Sequence, residues 1–164
     1  MDNYYKDTYK ANNRAFNVIG FNDYKERMIA DNPDAEKLPI WDWVQPNMCY
    51  SNALFICDMN GLLECYDEWC NYCEGIIINR ISLMRGEAVA VHHSWIYSTK
   101  YECYVDCTPI TGDAPNMYLY LISDELKDYE LQNYLENLCD DEGNTNPRFI
   151  HNDLPFGMKV NKDW

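Results

Sequence analysis

The chain has 164 residues, 47% of them hydrophobic, enough for one compact domain and too few for two of ordinary size. Thirteen Lys and Arg face 27 Asp and Glu, a formal net charge of −14. That charge repels phosphate backbones and anionic lipid faces, which argues against direct nucleic-acid or membrane binding but not against a protein that imitates nucleic acid.

In chain order, residues 1–44 are polar and turn-rich and are expected to form an irregular flank. The N-terminal Met1-Asp2-Asn3-Tyr4-Tyr5-Lys6 carries no apolar signal core, so the expected location is cytoplasmic. Ala15 to Met28 holds a weak helical pattern interrupted by Gly20. Cys49 to Cys57 predicts a buried helix, with Asn47 as its N-cap and Gly61 as its stop. Leu62 to Asn71 reads equally as a short helix or a loop. Tyr72 to Asn79, with Ile76-Ile77-Ile78, predicts a strand, as do Glu87 to Tyr97 and Tyr101 to Thr108. Ser98-Thr99-Lys100 leaves room only for a hairpin, so the last two strands should be antiparallel. Asn116 to Ile122 adds a candidate fourth strand, and Ser123 to Asp140 an amphipathic helix capped by Ser123. The expectation is a single α+β domain spanning 1–164. Its core, at about 45–140, would pack a Cys-bearing helix on an antiparallel meander and end in a C-terminal helix, with 143–164 a second irregular flank.

Eight cysteines stand at 49, 57, 65, 70, 73, 103, 107 and 139. Cys65, Cys70 and Cys73 have spacing that suits zinc, with Cys103 and Cys107 as a possible second pair. Those two share parity within a strand-like run, as small core residues do. The expectation is therefore buried free thiols, no metal and no cofactor.

Strand parity brings one constellation forward. Val89, Val91, His93 and Trp95 should share a face, and on the following strand so should Tyr104 and Asp106. A hairpin between these strands can set the Asp106 carboxylate against the His93 imidazole. Cys49 opens a helix, where the dipole and an adjacent imidazolium both favour a thiolate. His92 reads as a polar neighbour, His151 as an exposed tail residue, and Glu74 as a buried polar residue of its strand.

Cys49-Tyr50-Ser51-Asn52-Ala53, Tyr72-Cys73-Glu74-Gly75, His93-Ser94-Trp95 and Asp106-Cys107-Thr108, in that order, resemble the transglutaminase-like, or more broadly papain-like, superfamily. The likeness covers about residues 45–110. Cys107 stands where a Pro is usual and Ser94 where an Ala is usual. The resemblance implies a papain-like or transglutaminase-like core and acyl transfer from an amide through a thioester, by a thiol protease, an amidase or a transferase. Cys49 would be the nucleophile, His93 the acid–base and Asp106 its orienting partner. Gln45 is the first side-chain candidate for the oxyanion, with Asn47 and Asn52 behind it. Trp95 and Asn52 are expected at the substrate. The charge would favour a basic peptide, amine or protein as substrate. An alternative from another class is a small acidic non-enzymatic inhibitor, a nucleic-acid mimic of the phage anti-defence kind. It would act in a virus-infected host cell by occupying a basic host protein.

Overall fold

The computed structural model describes residues 18–138, 141–143 and 158–160. A mixed sheet forms the centre, with strands β1 (Val18–Gly20), β2 (Cys70–Asn79), β3 (Ala88–Ser98), β4 (Cys103–Asp106), β5 (Tyr118–Leu126) and β6 (Met158–Val160). Their order is β1-β4-β3-β2-β5, with β6 pairing β3. Strands β2, β3 and β4 form the antiparallel meander the sequence predicts, and β5 joins the free edge of β2. Strand β1 runs parallel to β4, so the sheet is mixed rather than purely antiparallel. The architecture is α+β.

The helices are α1 (Phe21–Asp31), α2 (Ile40–Trp43), α3 (Cys49–Asp58), α4 (Asn60–Leu63), α5 (Arg80–Arg85) and α6 (Asp128–Glu136). Helix α5, absent from the sequence reading, starts where the Asn79 side chain accepts the Ser82 N–H and stops at Gly86, with φ 75°. Helix α6 begins five residues later than expected, because Ser123–Leu126 continue β5 instead of opening a helix. The Ser123 hydroxyl bonds the Glu74 carbonyl rather than capping. The 1–44 flank is not irregular from residue 18 onward. Strand β1 extends the sheet, and α1 and α2 deliver Tyr24, Met28 and Ile40 to the main core.

That core lies on one face of the sheet. There Ala53, Ile56 and Cys57 of α3 meet Tyr72, Ile96, Val105 and Leu131. Each such aliphatic side chain contributes about 1.5–3 kcal/mol when fully buried. The opposite face carries a second cluster, with Cys73, Ile77, Trp95, Tyr104, Tyr120 and Ile122. Cys70 and Cys73 therefore sit in clusters on opposite faces, which prevents them from sharing a metal ion. Cys65 is exposed, and Cys139 and His151 lie outside the described residues.

One buried carboxylate fixes the hairpin on which the site depends. Glu68 accepts the Ser98 hydroxyl at 2.7 Å and the Thr99 and Lys100 N–H groups at 3.1 and 3.3 Å. With the β3–β4 turn held there, Ile96 pairs with Val105 and Tyr97 with Tyr104, so Asp106 falls beside the His93–Trp95 segment. No helix among the described residues is long and apolar enough to cross a membrane.

Candidate functional site

Strand β3 is bordered by β2 along one edge, whereas its other edge is divided. Strand β4 takes 96–98 and β6 takes 88–90, which leaves the stretch around His93 open between them. A cleft of about 380 Å³ lies there, lined by the N-terminal turn of α3 (Asn47 to Ser51), by Ile77, Val91, His92 and His93, and by the loop from Thr108 to Thr111. Cys49 and His93 thus share one cavity, although α3 packs on the opposite face of the sheet from His93.

The His93 Nε2–H donates to Asp106 Oδ2 at 2.9 Å, with both side chains buried. Cys49 lines the same cleft and acts on the ring electrostatically. Since Nε2 is committed to Asp106, the nitrogen left for sulfur is Nδ1. Burial pushes the imidazole towards neutrality, but the Asp106 charge, its hydrogen bond and Cys49 outweigh that, raising the ring from 6.5 to about 9. In Asp106, burial acts upward, yet the His93 charge and the hydrogen bonds from His93, Tyr120 and the Thr108 N–H hold the carboxyl below its ordinary range. Both directions describe an imidazolium–carboxylate pair. Asp106 is fully furnished with donors: Oδ2 also accepts the Tyr120 phenol at 2.5 Å, and Oδ1 accepts the Thr108 N–H at 3.0 Å.

The loop beyond Asp106 doubles back tightly. A Cβ on Gly112 would stand 2.3 Å from the Asp106 carbonyl oxygen, an approach that only glycine allows. This turn places Thr111 Oγ1 at 3.5 Å from His93 Nε2. Ile110, 61% exposed on the cleft, holds φ 84°, a strained conformation for a β-branched residue.

Helix α3 has Met48, not Asn47, at its N-cap and receives no side-chain cap. The Cys49 end of the helix faces the cleft. Asn47, at φ 60°, lines the cleft instead.

The structure brings together Cys49, His93 and Asp106. It separates the other three predicted residues from the cleft. Gln45 is exposed and absent from the lining, and it uses its backbone rather than its side chain. Its N–H and C=O bond Asn52 Oδ1 and Nδ2 at 3.0 and 2.9 Å. Asn52 is buried and also donates to Thr108 Oγ1 at 3.3 Å, so it staples the start of α3 to the turn after Asp106 and does not face a substrate. Trp95 is fully buried behind His93, its ring 6.0 Å away and nearly parallel, and it too is off the cleft. Sequence reasoning missed Tyr120 and Thr111. The fourth predicted strand, Asn116 to Ile122, contains Tyr120, but nothing local reveals that its phenol meets Asp106.

Of the remaining cysteines, burial pushes the thiols of Cys57, Cys70, Cys73 and Cys107 well up. Among the described residues no group of three or more His, Cys, Asp or Glu is arranged to hold a metal ion. Comparison of the chain with family models, with curated proteins and with solved structures finds no match in any of the three.

Proposed function

We propose that the protein is a cysteine-dependent acyl-transfer enzyme with a papain-like or transglutaminase-like arrangement of Cys49, His93 and Asp106. The observation that carries this reading is a partly exposed thiol at a helix N-terminus, in one cleft with an imidazole whose far nitrogen is bonded to a buried carboxylate. With His93 already an imidazolium, the sulfur attacks as the thiolate once its proton has left to solvent, forming a C–S bond to the carbonyl carbon. The imidazolium gives its proton to the departing amine as the C–N bond breaks. Water or a second amine, deprotonated by the same ring, then cleaves the thioester and frees the sulfur. Asp106 holds the ring in the tautomer these transfers need. The backbone N–H of Cys49 and the side chain of Asn47, in place of Gln45, are the oxyanion donors at the cleft. The lining is largely apolar and, among the described residues, contains no Asp, Glu, Lys or Arg, which suits an uncharged acyl group.

The test is acylation. An activated ester such as a p-nitrophenyl ester should release a stoichiometric burst and leave an acyl mass on the peptide carrying Cys49. The Cys49→Ser variant should give neither. Iodoacetamide at mildly acidic pH should label Cys49 ahead of Cys65, the exposed thiol. Equal labelling of the two would count against the reading.

A further inference from the structure

We propose that Tyr120 is a positioning residue for the His93–Asp106 pair, fixing the one carboxylate oxygen that holds the imidazole. The proposal rests on the acyl-transfer reading, in which that pair orients the ring. The phenol is 1% exposed and donates to Asp106 Oδ2, the same atom that accepts the His93 Nε2–H. The Thr108 N–H occupies Oδ1. With donors at both oxygens the carboxylate cannot rotate about its own axis, and the remaining acceptor direction on Oδ2 points at His93.

The contact is long-range in the fold. Two strands, β3 and β2, lie between β4 and β5, so a phenol on β5 reaches Asp106 only because the sheet curls over its second face. A bulge at Glu74/Gly75 in the β2–β5 pairing sharpens that curl. Gly75 pairs with His93 and carries no side chain, and the Trp95 ring fills the space above it. Tyr120 then packs edge-on to Trp95, with centroids 5.3 Å apart at 81°, and stands 6.2 Å from the His93 ring. A phenol present only to satisfy its own hydroxyl would serve equally well on Oδ1 or on a backbone carbonyl. Here it shares the atom bonded to the imidazole.

Sharing has a chemical consequence. The phenol draws electron density from Oδ2, tempering the pull of the carboxylate on the imidazolium. Removing the hydroxyl leaves Oδ2 to His93 alone. The ionisable groups that act on His93 are Asp106 from β4 and Cys49 from α3. Those around Tyr120 are Asp106, Tyr118 and Cys107.

The test is the titration of the His93 ring followed by NMR, in a chain with only three histidines. In Tyr120→Phe, which keeps the aromatic ring, the His93 titration should move to higher pH than in wild type. In Asp106→Asn it should move to lower pH, and adding Tyr120→Phe to that variant should change it little. An unmoved titration in Tyr120→Phe, with Asp106→Asn shifted, would overturn the role of Tyr120 and leave the triad standing. Equal shifts from Tyr120→Phe in both backgrounds would do the same, because the phenol would then not act through Asp106. An unmoved titration in Asp106→Asn would overturn both. Should Tyr120→Phe not fold, a fluorinated tyrosine at 120 is a stronger donor and should shift the titration to lower pH; no shift there refutes the proposal.

Discussion

Raising the pH should weaken the folded state through a single imidazole. The His93 ring titrates at about 9 in the folded protein against 6.5 as an ordinary side chain, so near neutrality the native state holds a proton that the unfolded chain has released. A basic group raised in this way contributes stability that is whole below pH 6.5 and is lost as the pH climbs through about 9. Treated as one site, the full gap corresponds to about 3 kcal/mol, of which about 1.5 kcal/mol disappears between pH 6.5 and about 8. A thiol in the unfolded chain is half ionised near pH ~8.5, so by about pH 8 the buried thiols add a smaller loss of their own, common to the wild type and to a variant lacking the imidazole. With a urea slope of about 2 kcal/mol per molar, the imidazole alone should lower the wild-type midpoint by about 0.8 M across this window. His93→Gln cannot hold the proton, so its midpoint should fall less over the same range, keeping only the loss due to the thiols. The assay is urea unfolding followed by tryptophan fluorescence at several pH values. Parallel curves for the two proteins would refute the argument, because the pH dependence would then arise elsewhere.

Other substitutions probe the supports of the site. Asn52→Ala removes the links to Gln45 and Thr108 and strands buried backbone groups, so it should cost about 2–4 kcal/mol in urea unfolding. Gly75→Ala would set a Cβ 2.1 Å from the Leu121 carbonyl and 2.9 Å from the Trp95 ring. It should destabilise by about 3 kcal/mol or more and broaden the His93 resonances. Ile110→Gly relieves a positive φ at an exposed position and should raise stability by about 1 kcal/mol, read from the thermal midpoint. For the proposed transfer, the rate with a cationic amine acceptor should fall as salt rises while that with a neutral amine stays level, given the net charge of −14.

The parts of the site that were legible in the sequence are those set by local structure. Cys49 stands at a helix start, and His93 and Asp106 lie on two strands joined by a short turn, so parity alone brings the latter pair together. The failures all involve contacts between distant segments. Ser123 to Leu126 has the composition of a helical first turn, but pairing with Tyr72 to Glu74 holds it as strand, tertiary pairing overriding local preference. Strand β1 is three residues long and shows no alternation, and only its parallel pairing with β4 defines it. Gln45 was chosen for its side-chain amide, whereas the fold uses its backbone, which the residue type does not encode. Tyr120 required both the strand order and the curl of the sheet.

The charge and the cleft now separate into two roles. Although 24% of the chain is charged, among the described residues no Asp, Glu, Lys or Arg lines the cavity, and Asp106 is buried behind His93 with its charge paired. Fixed carboxylates therefore cannot select a substrate by direct contact inside the cleft. Their influence is a field from the surrounding surface, screened over about 8 Å at physiological salt. Such a field raises the local concentration of cations near the opening but does not discriminate between acyl groups once bound. In the proposed reaction the acyl partner would be chosen by shape and apolar contact with residues such as Met48, Ile77 and Ile110, and a basic acceptor or a basic flanking peptide by the field. A net negative chain and a cleft whose described lining carries no carboxylate are thus compatible parts of one acyl-transfer reading, with recognition of basic groups confined to the rim.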